Sequence, residues 1–183
     1  HDGPASAWVT AWRAEIERIA AAYRAGKLYA ACNSEKGAGG SLAATKTVAI
    51  RDSAGKLALT GEKILASGGK FASTFLSTAK VDPEDLPGTG VVEFFFIETD
   101  APGVTILDDW NGFGMRATES QTVRYDGARA TSILGFPNYI EVVQPVQYWY
   151  CLFAAIPLGC ARAILQGLGN PAPQSPALRV RLM

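Results

Sequence analysis

Three segments of the sequence carry residues that could bind a cofactor or take part in a reaction. The first, Ala31–Ser41, runs from a strand end through Asn and Ser side chains into a glycine-rich turn. Glycines let backbone N–H groups approach an anion closely, so such a turn can hold a phosphate. The second, Gly61–Gly69, delivers Ser67 at a strand end, where a flat ligand can accept a hydrogen bond from its hydroxyl. The third is the loop Gly112–Ser120.

Each segment taken alone also has a purely structural interpretation. The glycine-rich segment matches neither the Walker A nor the dinucleotide-binding pattern, and small-residue loops between strands are commonly plain turns. A single serine such as Ser67 is commonly a solvent-facing strand end. It is the order and spacing of the three segments along the chain that makes them informative together.

Composition excludes several classes of site and partner. The only histidine is His1, so a His-based triad, a His-ligated zinc site and a His general base are not available within the chain. Lys+Arg 17 balance Asp+Glu 17 without a basic stripe, so nucleic acid is not an expected partner. No run of about 20 uninterrupted apolar residues is found, so no membrane span is expected. Three cysteines without metal-ligand spacing are expected to be free thiols, buried or partly buried, and no metal site is predicted: Cys32, Cys151 and Cys160.

The elements that must position these segments are mainly strands. Short β-runs separated by turn residues extend from Leu28 to about Ile140, and Asp52–Gly55 is typical of a hairpin turn between two of them. The run Val91–Ile97 has little alternation, as expected for a strand covered on both faces. The pattern predicts a mainly β fold, an antiparallel β-barrel or sandwich flanked by an N-terminal and a C-terminal helix.

Helical patterns are found at both ends of the β-region. The first carries a stripe from Trp8 through Trp12 to Tyr23, which must pack on something and is expected to need a partner helix. The second runs from about Val146 to Gly167 and contains Pro157, which should kink or break it. The expected domains are residues 1–27, the end of a helical domain; 28–140, the β-barrel; 141–169, the start of a second helical domain; and 170–183, a disordered or artefactual tail.

Taken together, the segments resemble the acyl-CoA dehydrogenase family. The motifs that carry the resemblance are Ser34-Glu35 followed by Gly39-Gly40, Gly61-Glu62-Lys63 with Ser67, Ala101-Pro102-Gly103, Gly114-Met115-Arg116-Ala117-Thr118, and the helix with Leu158-Gly159-Cys160-Ala161-Arg162. The resemblance covers roughly residues 28–166. It implies that the β-barrel lies against the flavin ring of a cofactor, FAD or alternatively FMN, and that helical domains supply the rest of the site.

The resemblance also implies roles for individual residues. Cys32, Asn33 and Ser34 fall where backbone and hydroxyl groups meet the flavin ring, and Leu65, Ala66 and Ser67 fall on the strand that faces it. Ser67 takes the position of the hydroxyl that hydrogen-bonds flavin N5. Gly39 and Gly40 fall near the pyrophosphate, and Gly40 with Ser41 falls near the substrate. No catalytic residue is assigned, since the family's basic Glu lies in the C-terminal helical domain and Glu35 is not given that role.

The implied function is that of a flavin-dependent acyl-CoA dehydrogenase, in which FAD accepts hydride from the β-carbon of acyl-CoA. The parent protein is expected to be a cytoplasmic homo-oligomer acting on a small-molecule substrate, and this chain alone is expected to be inactive. Leu65-Ala66-Ser67 departs from the family's Trp-Ile-Thr, so a flavin-dependent monooxygenase on the same fold is an alternative. A non-catalytic β-barrel binding module is another.

Overall fold

Eight strands and three α-helices make up the part of the chain that the structure, a computed structural model, describes, namely residues 4–39 and 41–169. The predicted tail at 170–183 lies outside the described residues. The elements are α1 (Pro4–Arg24), β1 (Tyr29–Cys32), β2 (Val48–Arg51), β3 (Leu57–Ala66), β4 (Thr74–Val81), β5 (Glu93–Glu98), β6 (Val104–Ile106), β7 (Gln121–Arg129), β8 (Ser132–Ile133), α2 (Tyr139–Val143) and α3 (Pro145–Gly169). Short 3-10 turns occur at Leu42–Ala44 and Arg116–Thr118.

The strands form one curled, mixed sheet in the order β6-β7-β3-β2-β4-β5-β8, with β1 paired to β4. The predicted mainly β architecture with a helix at each end is therefore confirmed. The sheet differs from a wholly antiparallel one because β1 and β2 both run parallel to β4. Long connections permit this pairing, whereas the tight turn between β2 and β3 forces an antiparallel pair.

The hairpin predicted at Asp52–Gly55 is present, and its side chains explain its shape. The Asp52 carboxylate accepts hydrogen bonds from the backbone N–H groups of Ala54 and Lys56, both at 2.9 Å. Gly55 has a φ of 74°, a conformation that glycine adopts without strain. The turn therefore sets the register of β2 against β3.

The core lies inside the sheet and is covered along β5 on both faces. Phe94, Phe95 and Ile97 are all buried, as predicted for the unalternating run. Glu93, also buried, accepts hydrogen bonds from Thr89 Oγ1 at 2.9 Å and from the Gly90 N–H at 3.0 Å. The buried carboxylate also accepts from the Asn138 N–H, so the turn before β5 and the segment before α2 satisfy it together.

Helix α1 packs on the sheet of this same chain. Trp8 packs against the core, Trp12 lies with its ring centroid 6.4 Å from that of Tyr139, and Ser132 Oγ donates to Glu15 at 2.8 Å. The stripe therefore rests in part on this chain's own sheet and on Tyr139 of α2, and these contacts need no partner helix. A second row on α1 remains exposed: Val9, Ile16 and Tyr23.

Helix α3 belongs to a separate unit, Gln144–Met183. It runs through Pro157 as one element, so the expected break at that proline is absent. Its segment Pro145–Leu168 is long and apolar enough to cross a membrane by length and composition alone. The buried core helix of a larger protein passes the same test. Cys151 and Cys160 on α3 are exposed, contrary to expectation, whereas Cys32 is buried.

Candidate functional site

The fold brings the three predicted segments together at one place, which we call the three-segment junction. The first two meet at a bridge in which the Ile64 N–H donates to the Ser34 carbonyl at 2.8 Å. The second and third meet where Ser67 Oγ lies 2.8 Å from Ser120 Oγ, and the Gly68 N–H donates to the Thr118 carbonyl at 2.6 Å. Residues far apart in the chain therefore share one surface.

The end of β1 presents its residues to the junction in different ways. Cys32 is fully buried, burial raises the pKa of its thiol to about 11, and its carbonyl accepts from Ser77 Oγ at 2.6 Å. The thiol is therefore a core group and not a ligand contact. Asn33 Oδ1 is buried without a hydrogen-bond partner among the described residues, while Ser34 is exposed. The side chains of Asn33 and Ser34 are the ones free to meet a ligand.

A buried ion pair holds the first segment against β3 from within the core. Lys63 Nζ lies 2.6 Å from the Glu35 carboxylate, with both side chains almost wholly buried, and also donates to Thr78 Oγ1 at 3.0 Å. Glu35 accepts three further bonds, from the Lys46 N–H at 2.6 Å and from the Thr47 N–H and hydroxyl at 3.0 and 2.7 Å. Charge and donors thus hold the chain just after Ser34 in a single position.

The ionisation of this pair follows from the same contacts. Burial by itself raises the pKa of Glu35, but the hydrogen bonds from Lys63, Thr47 and Lys46 outweigh it and lower the pKa to about 2. Burial also lowers the pKa of Lys63, against the attraction of Glu35. A carboxylate held this firmly is a poor proton acceptor at neutral pH, which supports leaving Glu35 without a role as catalytic base.

The end of β3 is irregular where it reaches the junction. Pairing with β7 shifts register between Lys63 and Ala66, and Leu65 adopts a left-handed φ of 60°, which is uncommon for a residue with a side chain. Ala66 is fully buried, but Leu65 is 51% exposed and Ser67 is exposed. The irregularity therefore turns Leu65 and Ser67 outward on either side of a buried alanine. Backbone strain of this kind clusters at functional sites.

Two residues of the site were not identified from the sequence, although they lie inside the third segment. Ser120 is buried, and its Oγ lies 2.8 Å from Ser67 Oγ and 2.7 Å from Thr118 Oγ1. Thr118 Oγ1 donates to the Met115 carbonyl at 2.8 Å. Nothing in the local sequence distinguishes these hydroxyls from others in loops, because the contact joins residues 53 positions apart.

The glycine-rich turn lies beside the junction and has the conformation its sequence predicts. Gly37 and Gly39 have φ angles of 82° and 59°, and Ser41 is exposed. The N–H groups of Ala38 and Ser41 donate within the loop, to Glu35 and Ala38 carbonyls at 3.1 Å, so these two donors are not directed at a ligand. Gly40 lies outside the described residues.

A separate open cavity of about 450 Å³ lies between α1 and the sheet. Trp8, Trp12, Glu15 and Arg51 are among the residues that line it, and none of the predicted site residues does. The described part of the chain holds no group of three or more His, Cys, Asp or Glu side chains that could bind a metal ion. The three-segment junction is therefore the candidate site.

The junction fits the edge and face of a flat heteroaromatic ring such as a flavin. The exposed Leu65 side chain offers an apolar contact, and Ser67 and Ser34 place hydroxyl groups beside it. Asn33 Oδ1 is buried behind these groups without a partner among the described residues, so it would meet a ring N–H only if the side chain turned outward. These groups could orient a ring, whereas proton abstraction from a substrate would need a base from elsewhere.

Comparison with known families finds matches to the β-region of the chain. The family described as acyl-CoA dehydrogenase, middle domain, matches residues 30–128. Over 114 residues the chain is 35% identical to L-evernosamine nitrososynthase of Micromonospora sp. (62% of this chain, 25% of that protein). Over 106 residues it is 34% identical to a probable short/branched chain specific acyl-CoA dehydrogenase of Dictyostelium discoideum (57% and 25%). It is 32% identical over 118 residues to dibenzothiophene monooxygenase of Mycolicibacterium goodii (58% and 28%).

Solved structures show the same fold with two different flavins. KijD3 in complex with FMN and a dTDP-amino sugar aligns with a TM-score of 0.55 at 25% identity, covering 71% of this chain and 29% of that one. An acyl-CoA dehydrogenase complexed with FAD from Bacillus anthracis aligns with a TM-score of 0.51 at 25% identity, covering 59% of this chain and 19% of that one. A probable acyl-CoA dehydrogenase from Mycobacterium abscessus shares the fold over 92% of this chain and 48% of its own, with a TM-score of 0.69 at 21% identity. The chain spans only about a quarter of the curated relatives named above.

Proposed function

Since this chain belongs to the acyl-CoA dehydrogenase family, we propose that it supplies the β-sheet side of a flavin site in a flavin-dependent oxidoreductase. The observation that carries the proposal is the three-segment junction, where Ser34 bridges Ile64 and Ser67 contacts Ser120, on strands tied together by the buried Glu35–Lys63 pair. Flavin-binding structures of the same fold support it.

Each predicted residue has a place in this proposal. Ser67 would face the N5 edge of the ring, Leu65 its flat face, and Asn33 and Ser34 its polar edge. The backbone at Cys32 and Ala66 would support these contacts from within the core, since both side chains are buried. Gly39 and Gly40 would lie toward the pyrophosphate of FAD, and Gly40 with Ser41 toward the substrate. FMN, which lacks the pyrophosphate, would use the ring contacts alone.

The proposed reaction is dehydrogenation of a small-molecule substrate, with an acyl-CoA thioester as the first candidate. A bound flavin would supply the redox chemistry, as cofactors do in general. The residues of this chain would orient the ring and exclude water from the sheet side of it. A base outside the described residues would remove the substrate α-proton. We further propose that the parent protein is cytoplasmic and forms a homo-oligomer.

A second candidate reaction is oxygenation of the substrate by a flavin-dependent monooxygenase. Leu65-Ala66-Ser67 carries no aromatic side chain that could cover the ring of the proposed flavin. Relatives at 35% and 32% identity are a nitrososynthase and a monooxygenase. A flavin retained through gel filtration would favour the dehydrogenase, and a requirement for a separate flavin reductase would favour the monooxygenase.

Titration of the chain with FMN and FAD, followed by visible absorbance and flavin fluorescence, tests the site. We expect saturable binding that perturbs the flavin spectrum and an affinity that Ser67→Ala changes roughly three- to tenfold, the value of one hydrogen bond. Ser73→Ala is the matched control, since it removes a hydroxyl that donates to Leu28 at 3.0 Å away from the junction. An equal change in both variants, or no saturable binding of either flavin, would contradict the proposed site and favour a non-catalytic module.

A further inference from the structure

We propose that Thr118 and Ser120 are positioning residues that turn the Ser67 hydroxyl into a hydrogen-bond acceptor toward the ligand. The three hydroxyls form a chain, which we call the hydroxyl relay, that ends on the Met115 carbonyl. The ligand consequence rests on the proposed function, since it takes the ligand to be a flavin. The direction of the relay itself rests only on the contacts within the chain.

Counting protons gives the direction of the relay. A carbonyl oxygen carries no proton, so at 2.8 Å the Thr118 hydroxyl must donate to the Met115 carbonyl. A hydroxyl has one proton, so Thr118 Oγ1 is left to accept from Ser120 Oγ, 2.7 Å away. Ser120 has then used its own proton and must accept from Ser67 Oγ at 2.8 Å. Ser67 therefore faces the junction with lone pairs only.

The backbone around the relay keeps its members in place. Thr118 ends the 3-10 turn Arg116–Thr118, and Glu119 follows it in a left-handed conformation with a φ of 48°. The Gly68 and Gly69 N–H groups donate to the Thr118 and Glu119 carbonyls at 2.6 and 3.2 Å. Ser120 is 6% exposed, so water does not readily compete for its hydroxyl. The loop and the end of β3 are thus clamped on both sides of the Ser67–Ser120 contact.

An acceptor at this position discriminates between the two redox forms of a flavin. Oxidised N5 carries a lone pair and accepts hydrogen bonds, whereas two-electron reduction with uptake of a proton makes it an N–H donor. A Ser67 oxygen whose proton is held by Ser120 matches the reduced form and opposes the oxidised one. This reverses the donor role that the sequence alone predicts for Ser67. The relay should therefore make the site bind reduced flavin more tightly and raise the flavin reduction potential.

Anaerobic titration of the chain with oxidised and with dithionite-reduced FMN measures this preference. Ser120→Ala frees the Ser67 proton to turn outward, so we expect the ratio of reduced to oxidised affinity to fall about tenfold, with oxidised FMN bound at least as well as before. For a two-electron couple a tenfold change is about 30 mV. Ser120→Thr keeps a hydroxyl and should keep the ratio, and Thr118→Val, which removes the acceptor of Ser120, should lower it in part. Equal weakening of both forms by Ser120→Ala would mean a structural role only and would overturn the proposal.

Neutron diffraction from deuterated crystals of the chain tests the relay without any flavin. The expected result is deuterium on Ser67 Oγ directed at Ser120 Oγ, and on Ser120 Oγ directed at Thr118. Deuterium on Ser67 pointing into the open junction would overturn the relay even if flavin binds. Correct deuterium positions in a chain that binds no flavin would instead leave the relay standing and contradict the proposed function.

Discussion

Adjacent residues on β3 form two ion pairs with opposite physical character. Glu62 lies on the outer face and pairs at 3.0 Å with Arg124 on the adjacent strand β7, and the two side chains are 46% and 55% exposed. Lys63 lies on the inner face and pairs with Glu35 at 2.6 Å, with side chains 0% and 3% exposed. Because side chains alternate along a strand, one step in sequence moves a charge from solvent into the core.

The difference shows which ion pair holds the proposed site. Water and salt screen the outer pair, so it contributes little to stability or to the position of the strands. The inner pair cannot rearrange without leaving a charge in the core, so it fixes the segment carrying Asn33 and Ser34 against β3. Replacing groups on the two faces of β3 therefore tests the comparison directly.

The largest effect is expected from Lys63→Met. It leaves the Glu35 carboxylate buried without its counter-ion, and breaking a buried pair in this way costs about 3–5 kcal/mol of unfolding free energy. Urea unfolding followed by circular dichroism measures it. Lys80→Met is the matched control, because it removes an exposed lysine from β4. Its unfolding free energy should stay within about 0.5 kcal/mol of the wild-type value. A loss below about 1 kcal/mol in Lys63→Met would show that the inner pair does not hold the fold.

A pH dependence of stability should arise from Glu35. Its pKa is lowered from 4.5 to about 2 in the folded chain, so its stabilising contribution is present above pH 4.5 and is lost as the pH falls toward 2. The size of the shift corresponds to about 3 kcal/mol. Unfolding free energies measured between pH 7 and pH 2 should show this loss in the wild-type chain. Glu35→Gln should flatten that part of the profile, and an unchanged profile would contradict the low pKa.

Removing both charges should cost less than removing one. In the double variant Glu35→Leu with Lys63→Met no uncompensated charge remains in the core, and such replacements are often close to neutral. We expect its unfolding free energy to lie above that of Lys63→Met by about 2 kcal/mol. Flavin affinity measured on the same protein separates stability from positioning, since a stable double variant with weakened binding would show that the pair orients the junction. A double variant less stable than Lys63→Met would contradict this account.

The smallest effect is expected on the outer face. Arg124→Gln removes the exposed partner of Glu62 and should cost less than about 1 kcal/mol. The cost should shrink further as salt is added, because exposed charges are screened. Thermal unfolding at low and high salt measures both. A loss as large as that of Lys63→Met would remove the distinction between the two faces.

Several features of the fold were predictable because their causes are local. The turn residues Asp52–Gly55 fix a hairpin by contacts within a few positions, and the run Val91–Ile97 shows little polar–apolar alternation because both faces of β5 are buried. The order of the three segments, read as a family resemblance, predicted the family whose middle domain matches residues 30–128. Each of these inferences relies on residues close together in the sequence or on the order of motifs along it.

What the sequence by itself determined was therefore the class of the fold and the segments of the candidate site. Tertiary structure alone decided the parallel pairing of β1 and β2 with β4, the packing of α1 on this chain's own sheet, and the Glu35–Lys63 pair. It also decided the left-handed Leu65 and the hydroxyl relay that gives Ser67 its direction. The physical reason is distance along the chain: these contacts join residues tens of positions apart, and their energies depend on burial that only the folded chain creates.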